Sequence, residues 1–569
     1  SGAYRNFHHY VSEIKTRDYG FWITRTSPKK EKRIATTNYQ YLQCLNMDEE
    51  DVLKICEPTI QYFKDVSGLS WEKTILFLIG SLSKEDINLR WWNSLDPLVR
   101  LLLTNPEFMS DGFVRNKLKK MISKKIKESY IGTLRIFGNY QVMISDVLAF
   151  TEHALGLEVK GLLKEKEVFS NFWNKENSKK ISALRSPMTY RSEINVLNVK
   201  NNKETQKWFG HLTGIVYNVF DDSDLLHAGS DRDGDLVMTT NNEIFINKTF
   251  GGLPAVYDRK SAEKVIINKD ELWESDKQVF KNHIGFITNL STTLYSMLPL
   301  FDKEDIKYSM IINRLKNATC QQSREIDKGK GILVEDIPDW WTKHTKIDED
   351  WDEDLKRKIT IRNEIVVSKR PLFFKWLYDD YNKEYKKYLF NYNTYCLSNF
   401  GITLEQLLSK KDKSEEESKT EFYYKKYSKL IDSPSVMNMV CKTMEKEVRP
   451  LKDQKNNVLY NFTADKEKML KMKELYSDWK ILRKRYNRED GEILSSEIRR
   501  RADSISIKSR EIAMLAMNVS VGFALTVFPM YVEELYFVDK IQVPVLNDDG
   551  NIEFSKELFS LMEFEVADD

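Results

Sequence analysis

The chain is poor in the features that would make several classes easy to assign. Of 569 residues only five are cysteine: Cys44, Cys56, Cys320, Cys396 and Cys441. They are scattered, and no Cys-x-x-Cys pair occurs, which argues against a structural zinc site and against a disulfide framework. A reducing, cytoplasmic setting is the expectation. Net charge is nearly absent: 88 basic and 86 acidic side chains leave +2. A polyanionic partner would therefore have to be met by local basic stripes, not by the whole surface. No repeat is visible. The start, "SGAYRNFHHYVSEIKTRDYG", has neither an initiator Met nor the apolar core of a signal peptide.

Long apolar runs are also scarce. The exception is residues 512–532, "IAMLAMNVSVGFALTVFPMYV", which are uncharged and long enough to span a bilayer. Asn518, Ser520, Thr526 and Pro529 interrupt the run, and no second span follows. We read it as one helix buried in a protein core, without a membrane.

What is present is a change of periodicity along the chain. Residues 1–45 combine a strand-like piece, "YGFWITRTS", with a basic turn, "SPKKEKR". From 46 to 130 apolar residues recur every three or four positions, as in helices, ending in the basic "FVRNKLKKMISKKIKES". That helix is either a solvated face or a phosphate contact. Residues 131–268 carry short β-branched segments, among them "GNYQVMIS", "INVLNV", "GIVYNVF", "DLVMTT" and "EIFIN", all of which read as strands. Helices return over 269–345 and 346–535. The charged "KKDKSEEESKTE" at 410–421 reads as a loop or helix face. Residues 536–569 begin with a hairpin turning at "DDGN".

One stretch holds unusual electrostatics. "GSDRDGDLVMTTNN" places Asp231, Asp233 and Asp235 at alternate positions around Gly234. Crowded carboxylates stay ionised only beside a cation. An EF-hand fails, because its sixth and twelfth positions would be Leu236 and Asn242. Oxygen donors around a glycine bend suit Mg²⁺. An acidic solvated turn, or an Asp-x-Asp glycosyl- or phosphotransferase, uses the same residues.

Together with "RSP" at 185–187, the "DRDGD" at 231–235 resembles the catalytic loop of two-barrel RNA polymerases, in particular the silencing RNA-dependent and single-chain phage branch. Further segments agree in order: "GNYQVMISD", "HIGFITNLSTTL" and "QQSREIDKGKG", with Ser323, Asp327 and Lys330 in register. Where that branch has Val-Asp, Ile326-Asp327 stands here. The resemblance implies an α+β chain, with a double-psi β-barrel catalytic core embedded in mainly helical lobes. It implies template-directed nucleotidyl transfer from NTPs to an RNA 3′ end, on DNA or RNA. Asp231, Asp233 and Asp235 would hold Mg²⁺, a second ion entering with the NTP. Arg185 would contact the incoming nucleotide, and Lys330 and Asp327 the template or product strand.

The basic half of such a site belongs to another barrel. "TRTSPKKEKR" resembles its exit, with Arg25, Ser27 and Lys30 in register, Thr26 in place of proline, and Lys15 as a further candidate. Lys30 would then face the triphosphate, and 1–45 would be the end of a first barrel completed by an N-terminal companion segment or chain. A barrel retained only to bind nucleic acid is the alternative.

Overall fold

The computed structural model describes residues 6–17, 20, 31–67, 70–80, 87, 89–227, 230, 232, 234–255, 273, 283–328, 334, 371–377, 379–453, 466–484, 491–536, 541–547 and 550–555. Among the described residues the strands are β1 (Ile34–Thr36), β2 (Arg135–Phe137), β3 (Asn139–Ser145), β4 (Glu167–Phe169), β5 (Lys180–Leu184), β6 (Asn195–Val199), β7 (Ile215–Tyr217), β8 (Leu236–Thr240), β9 (Pro544–Leu546) and β10 (Ile552–Phe554). The rest of the regular structure is helical, so the fold is α+β, as expected.

Six strands close into a barrel in the order β3-β7-β4-β6-β5-β8. β3 runs parallel to β7, and β4 to β6. The pairs β4–β7, β5–β6, β5–β8 and β3–β8 are antiparallel. Exchanging β3, β4, β5 for β6, β7, β8 leaves this set of pairings unchanged. That internal two-fold is the double-psi relation the sequence resemblance implied. Closure removes free edges, so every barrel strand is paired on both sides.

The barrel is filled, not hollow. Met143, Val168, Ile181, Ala183, Leu197, Ile215, Tyr217 and Val237 form its apolar interior. The short helix Asn171–Lys175, capped by Ser170, adds Phe172 and Trp173 to it. Trp173 is fully buried, meets Phe172 edge-on at 4.8 Å, and donates its indole N–H to Thr239 Oγ1 at 2.9 Å. Gly138 sits where the chain enters β3. A Cβ there would lie 2.3 Å from the Thr239 carbonyl oxygen, so only glycine fits this approach.

A second, larger core lies outside the barrel. It runs from Ala35 through the helices Glu49–Ser67 and Gly112–Tyr130 to Val436–Asp453 and the last helices, and takes in Leu184, Met188 and Met238 at the barrel wall. The 49–67 helix packs on the 436–453 helix. Two buried or half-buried polar links tie the same layers: Asn105 Nδ2 donates to the Leu535 carbonyl at 2.9 Å, and Asn518 Oδ1 accepts from the Gly112 N–H at 2.6 Å.

Two expectations are corrected. "EIFIN" is not a strand but the helix Glu243–Asn247, because Asn242 caps it by accepting from the Ile244 N–H at 3.0 Å. The capping residue and the acidic first turn outweigh the β-branched composition. Residues 512–532 are not one helix but parts of three: Ser509–Val519, Val521–Val527 and Pro529–Tyr536. Ser520 is extended and caps the second, and Pro529 opens the third. The segment does supply core residues, and among the described residues no helix is long and apolar enough to cross a membrane. The charged 410–421 segment resolves into a helix start, with a capping box between Ser414 and Glu417. The hairpin at the end is present as β9–β10. "YGFWITRTS" lies outside the described residues, apart from Gly20.

Candidate active site

The site is built where β5, β3 and β8 end at one rim of the barrel. Leu184 ends β5, and Arg185 follows at once. Asp235 immediately precedes β8, and its carbonyl accepts from the Met143 N–H of β3 at 2.9 Å. Strand pairing therefore fixes both residues at the same rim. Their side chains meet: Arg185 Nη2 lies 3.0 Å from Asp235 Oδ2. The arginine side chain is 11% exposed and the aspartate 26%, so the pair opens to solvent on the carboxylate side. Gly234 has φ +127°, a backbone conformation reserved for glycine, and open space around its Cα.

Of the residues singled out from sequence, Arg185 and Asp235 are thus brought together. Asp231 and Asp233 lie outside the described residues, as do Arg25, Ser27, Lys30 and Lys330. Asp327 is buried in the last turn of the helix Ile306–Asp327. Lys15 lies in the last turn of the helix Phe7–Thr16. Among the described residues no group of three metal-ligating side chains occurs, and of the aspartate triplet only Asp235 is among them.

The loop that carries Arg185 is gripped on both sides. Asn38 Nδ2 donates to Ser186 Oγ at 2.8 Å, and Gln40 Oε1 accepts from the Met188 N–H at 2.9 Å. Further along, Glu193 is buried and accepts from the Tyr190 N–H at 2.8 Å, the Thr189 N–H at 3.2 Å and Thr319 Oγ1 at 3.0 Å. Burial pushes its carboxyl up to about 7, against the pull of these donors. Thr319 belongs to the 306–327 helix, so the post-barrel helix is tied to the Arg185 loop.

Arg232, to which the sequence motif assigns no role, is a structural anchor. It donates to Ser145 Oγ at 2.5 Å and pairs with Asp224. His227 was also not singled out. It is buried, its Nε2 lies 2.9 Å from the Tyr217 hydroxyl, and its Nδ1 has no partner among the described residues. Burial, aided by the Arg185 charge, pushes the imidazole down to about 3.

That shift gives a pH prediction. Between about 3 and 6.5 the unfolded chain holds a proton on His227 that the folded chain refuses. Stability due to His227 is therefore full above 6.5 and lost as pH falls through that window, by at most about 1.4 kcal/mol per pH unit. Urea unfolding of wild type and His227→Gln at several pH values checks it. The wild type should weaken more steeply on acidification; parallel curves would contradict a neutral, buried imidazole.

No protein-family model matches the chain, and no curated protein is similar enough to match. Among solved structures the chain is similar to the RNA-dependent RNA polymerase QDE-1 from Thielavia terrestris, at 10% sequence identity and a TM-score of 0.45. The similarity covers 90% of this chain and 57% of that one, so the chain spans less than two thirds of that protein's length.

Proposed function

We propose that this chain is the catalytic part of a template-directed RNA polymerase. The observation that carries the reading is the Arg185–Asp235 pair at the barrel rim, beside Gly234 and at the end of the aspartate triplet. The donor chemistry fits Mg²⁺: three carboxylates, all hard oxygen donors, with the described one partly open to solvent. Mg²⁺ held by Asp231, Asp233 and Asp235 would supply positive charge that lowers the pKa of an attacking hydroxyl and stabilises charge on a phosphate.

In the reaction, the RNA 3′-oxygen bonds to the α-phosphorus of an NTP. The bond from that phosphorus to the bridging oxygen breaks, pyrophosphate leaves, and the hydroxyl proton passes to solvent. Arg185, held at the rim by β5 and by its gripped loop, orients the nucleotide through its planar donors. Positioning is the main task of a protein in such a transfer. Lys30, Lys330 and Asp327 are assigned to triphosphate and nucleic-acid contact by motif register. A companion segment would supply the remaining basic residues.

The test is incorporation of labelled NTPs on single-stranded RNA and DNA templates with Mg²⁺, with the chain both alone and joined to its companion. Absence of product from every combination would overturn the reading. Arg185→Ala should raise KM for NTP roughly 10- to 100-fold, the value of a lost charge-assisted hydrogen bond, with Arg185→Lys between it and wild type. Steady-state kinetics read this directly.

A further inference from the structure

The helix Gly112–Tyr130 carries seven basic side chains and one acid, Glu128. On a chain whose net charge is +2, that is a strong local excess. Its apolar residues Val114, Leu118, Ile122 and Ile126 are buried in the larger core, where the helix packs on the helices 436–453 and 49–67. A helix turns about 100° per residue, so Phe113, Lys117, Lys120, Lys124 and Lys127 share an arc of about 80° on the opposite side, over roughly 20 Å.

This stripe is open, and its charge is little compensated. Phe113 is 73% exposed. Lys120, Lys124 and Lys127 are exposed and make no ion pair among the described residues. Lys117 lies 3.4 Å from Asp96 Oδ1, and both side chains are solvated. Glu128 meets Lys125, beside the stripe, at 2.8 Å. Such exposed pairs offset little of the positive charge.

The arrangement selects among polyanions. An amphipathic helix enters a bilayer with its apolar face, and here that face is already in the core. The bases of a duplex are stacked on one another and leave an exposed ring little to cover. The bases of a single strand are available to it, while a basic row follows the backbone.

We infer that this helix face binds single-stranded nucleic acid, its lysines following the phosphates and Phe113 stacking on a base. The inference rests on the polymerase reading for the presence of such a strand, but not on catalysis by the aspartates. The helix leads through β2 into β3, whose first residue, Asn139, pairs with Thr239, towards the end of β8 away from Asp235. It thus joins the barrel at the end opposite the rim. The contact is additional to those assigned to Arg185, Lys330 and Asp327.

A fluorescent oligouridylate of about 20 nucleotides, titrated with the purified chain without divalent metal or NTP, reports binding by anisotropy over a range of salt. Lys117→Gln, Lys120→Gln, Lys124→Gln and Lys127→Gln combined should weaken binding at least about tenfold at low salt. They should also flatten the slope of log Kd against log salt by about 2 to 3, the share of four phosphate contacts on a single strand. Glutamine keeps the helix propensity of lysine, so the melting temperature should match wild type. The same four positions as arginine should keep the affinity. Phe113→Ala should cost about fivefold or more, the low end for a lost base stack, and leave binding of inorganic polyphosphate unchanged. Removing four exposed lysines elsewhere (Lys411→Gln, Lys419→Gln, Lys473→Gln and Lys484→Gln) should matter far less. Equal losses from the two fourfold variants, a slope unmoved by the first, or a duplex of the same length bound as tightly would each overturn the assignment. So would stripe-dependent binding of phosphatidylserine vesicles in place of the oligonucleotide. Failure of NTP incorporation with stripe-dependent binding intact would sink only the polymerase reading. Incorporation with binding indifferent to the four lysines would sink only this one.

Discussion

Asp235→Asn is expected to cut NTP incorporation at least about 100-fold with little loss of stability. Removing a group that stabilises transition-state charge costs on the order of 3–4 kcal/mol, or 10²- to 10³-fold in rate. The exchange keeps the shape of the side chain and an oxygen for Arg185 Nη2, which now lies 3.0 Å from the carboxylate. It also keeps the backbone carbonyl that pairs with Met143. What disappears is the negative charge. Asp231→Asn and Asp233→Asn should behave alike, since crowded carboxylates act as one donor set. Single-turnover extension of a labelled primer, beside a melting curve, reads both quantities. A wild-type extension rate from Asp235→Asn would remove the aspartates from the chemistry.

Trp173→Ala should be among the most damaging single exchanges for the fold, costing about 3–5 kcal/mol of unfolding free energy. The indole is fully buried, packs at 5.8 Å from the Phe137 ring and 4.8 Å from Phe172, and binds Thr239 on β8. Its loss would leave a cavity inside a closed barrel, whose paired strands have little freedom to collapse. Thr239 would keep its bond to Asn139 Oδ1 at 2.6 Å, so the strand itself survives. Trp173→Phe should cost less, having kept part of the ring. Urea unfolding followed by far-UV circular dichroism measures both; a loss below about 1 kcal/mol for the alanine variant would mean the helix does not plug the barrel.

Much of this architecture was written in local patterns. Four of the six barrel strands announce themselves as short β-branched runs, and the aspartates as a charge cluster that needs a cation. The Arg185–Asp235 pair is different in kind: the residues lie fifty positions apart, and only the resemblance of "RSP" and "DRDGD" to a polymerase loop brought them into one sentence. Glu193 and Thr319 were not legible at all, because an acid in a turn and a threonine in a helix look ordinary until burial forces them together. The helix at 243–247 was misread since isoleucine and phenylalanine carry a strand-like composition, while the information lay in Asn242 just before them. The breaks at Ser520 and Pro529 were visible as polar or ring-constrained residues. They argue against a membrane and are also the corners of three helices.

The links between the first and last helical layers have a consequence for biosynthesis. Asn105 finds its acceptor at Leu535, and Gly112 finds Asn518. A ribosome adding 5–20 residues per second needs roughly 20 to 90 s to cover that separation. For most of that interval the 49–67 helix has been made, but the 436–453 helix has not, and the face the first turns to the second stays uncovered. The barrel, whose strands all fall between 139 and 240, can close long before. Synthesis therefore passes through a state with a finished barrel and an open helical layer, the state in which a holding chaperone has most to bind.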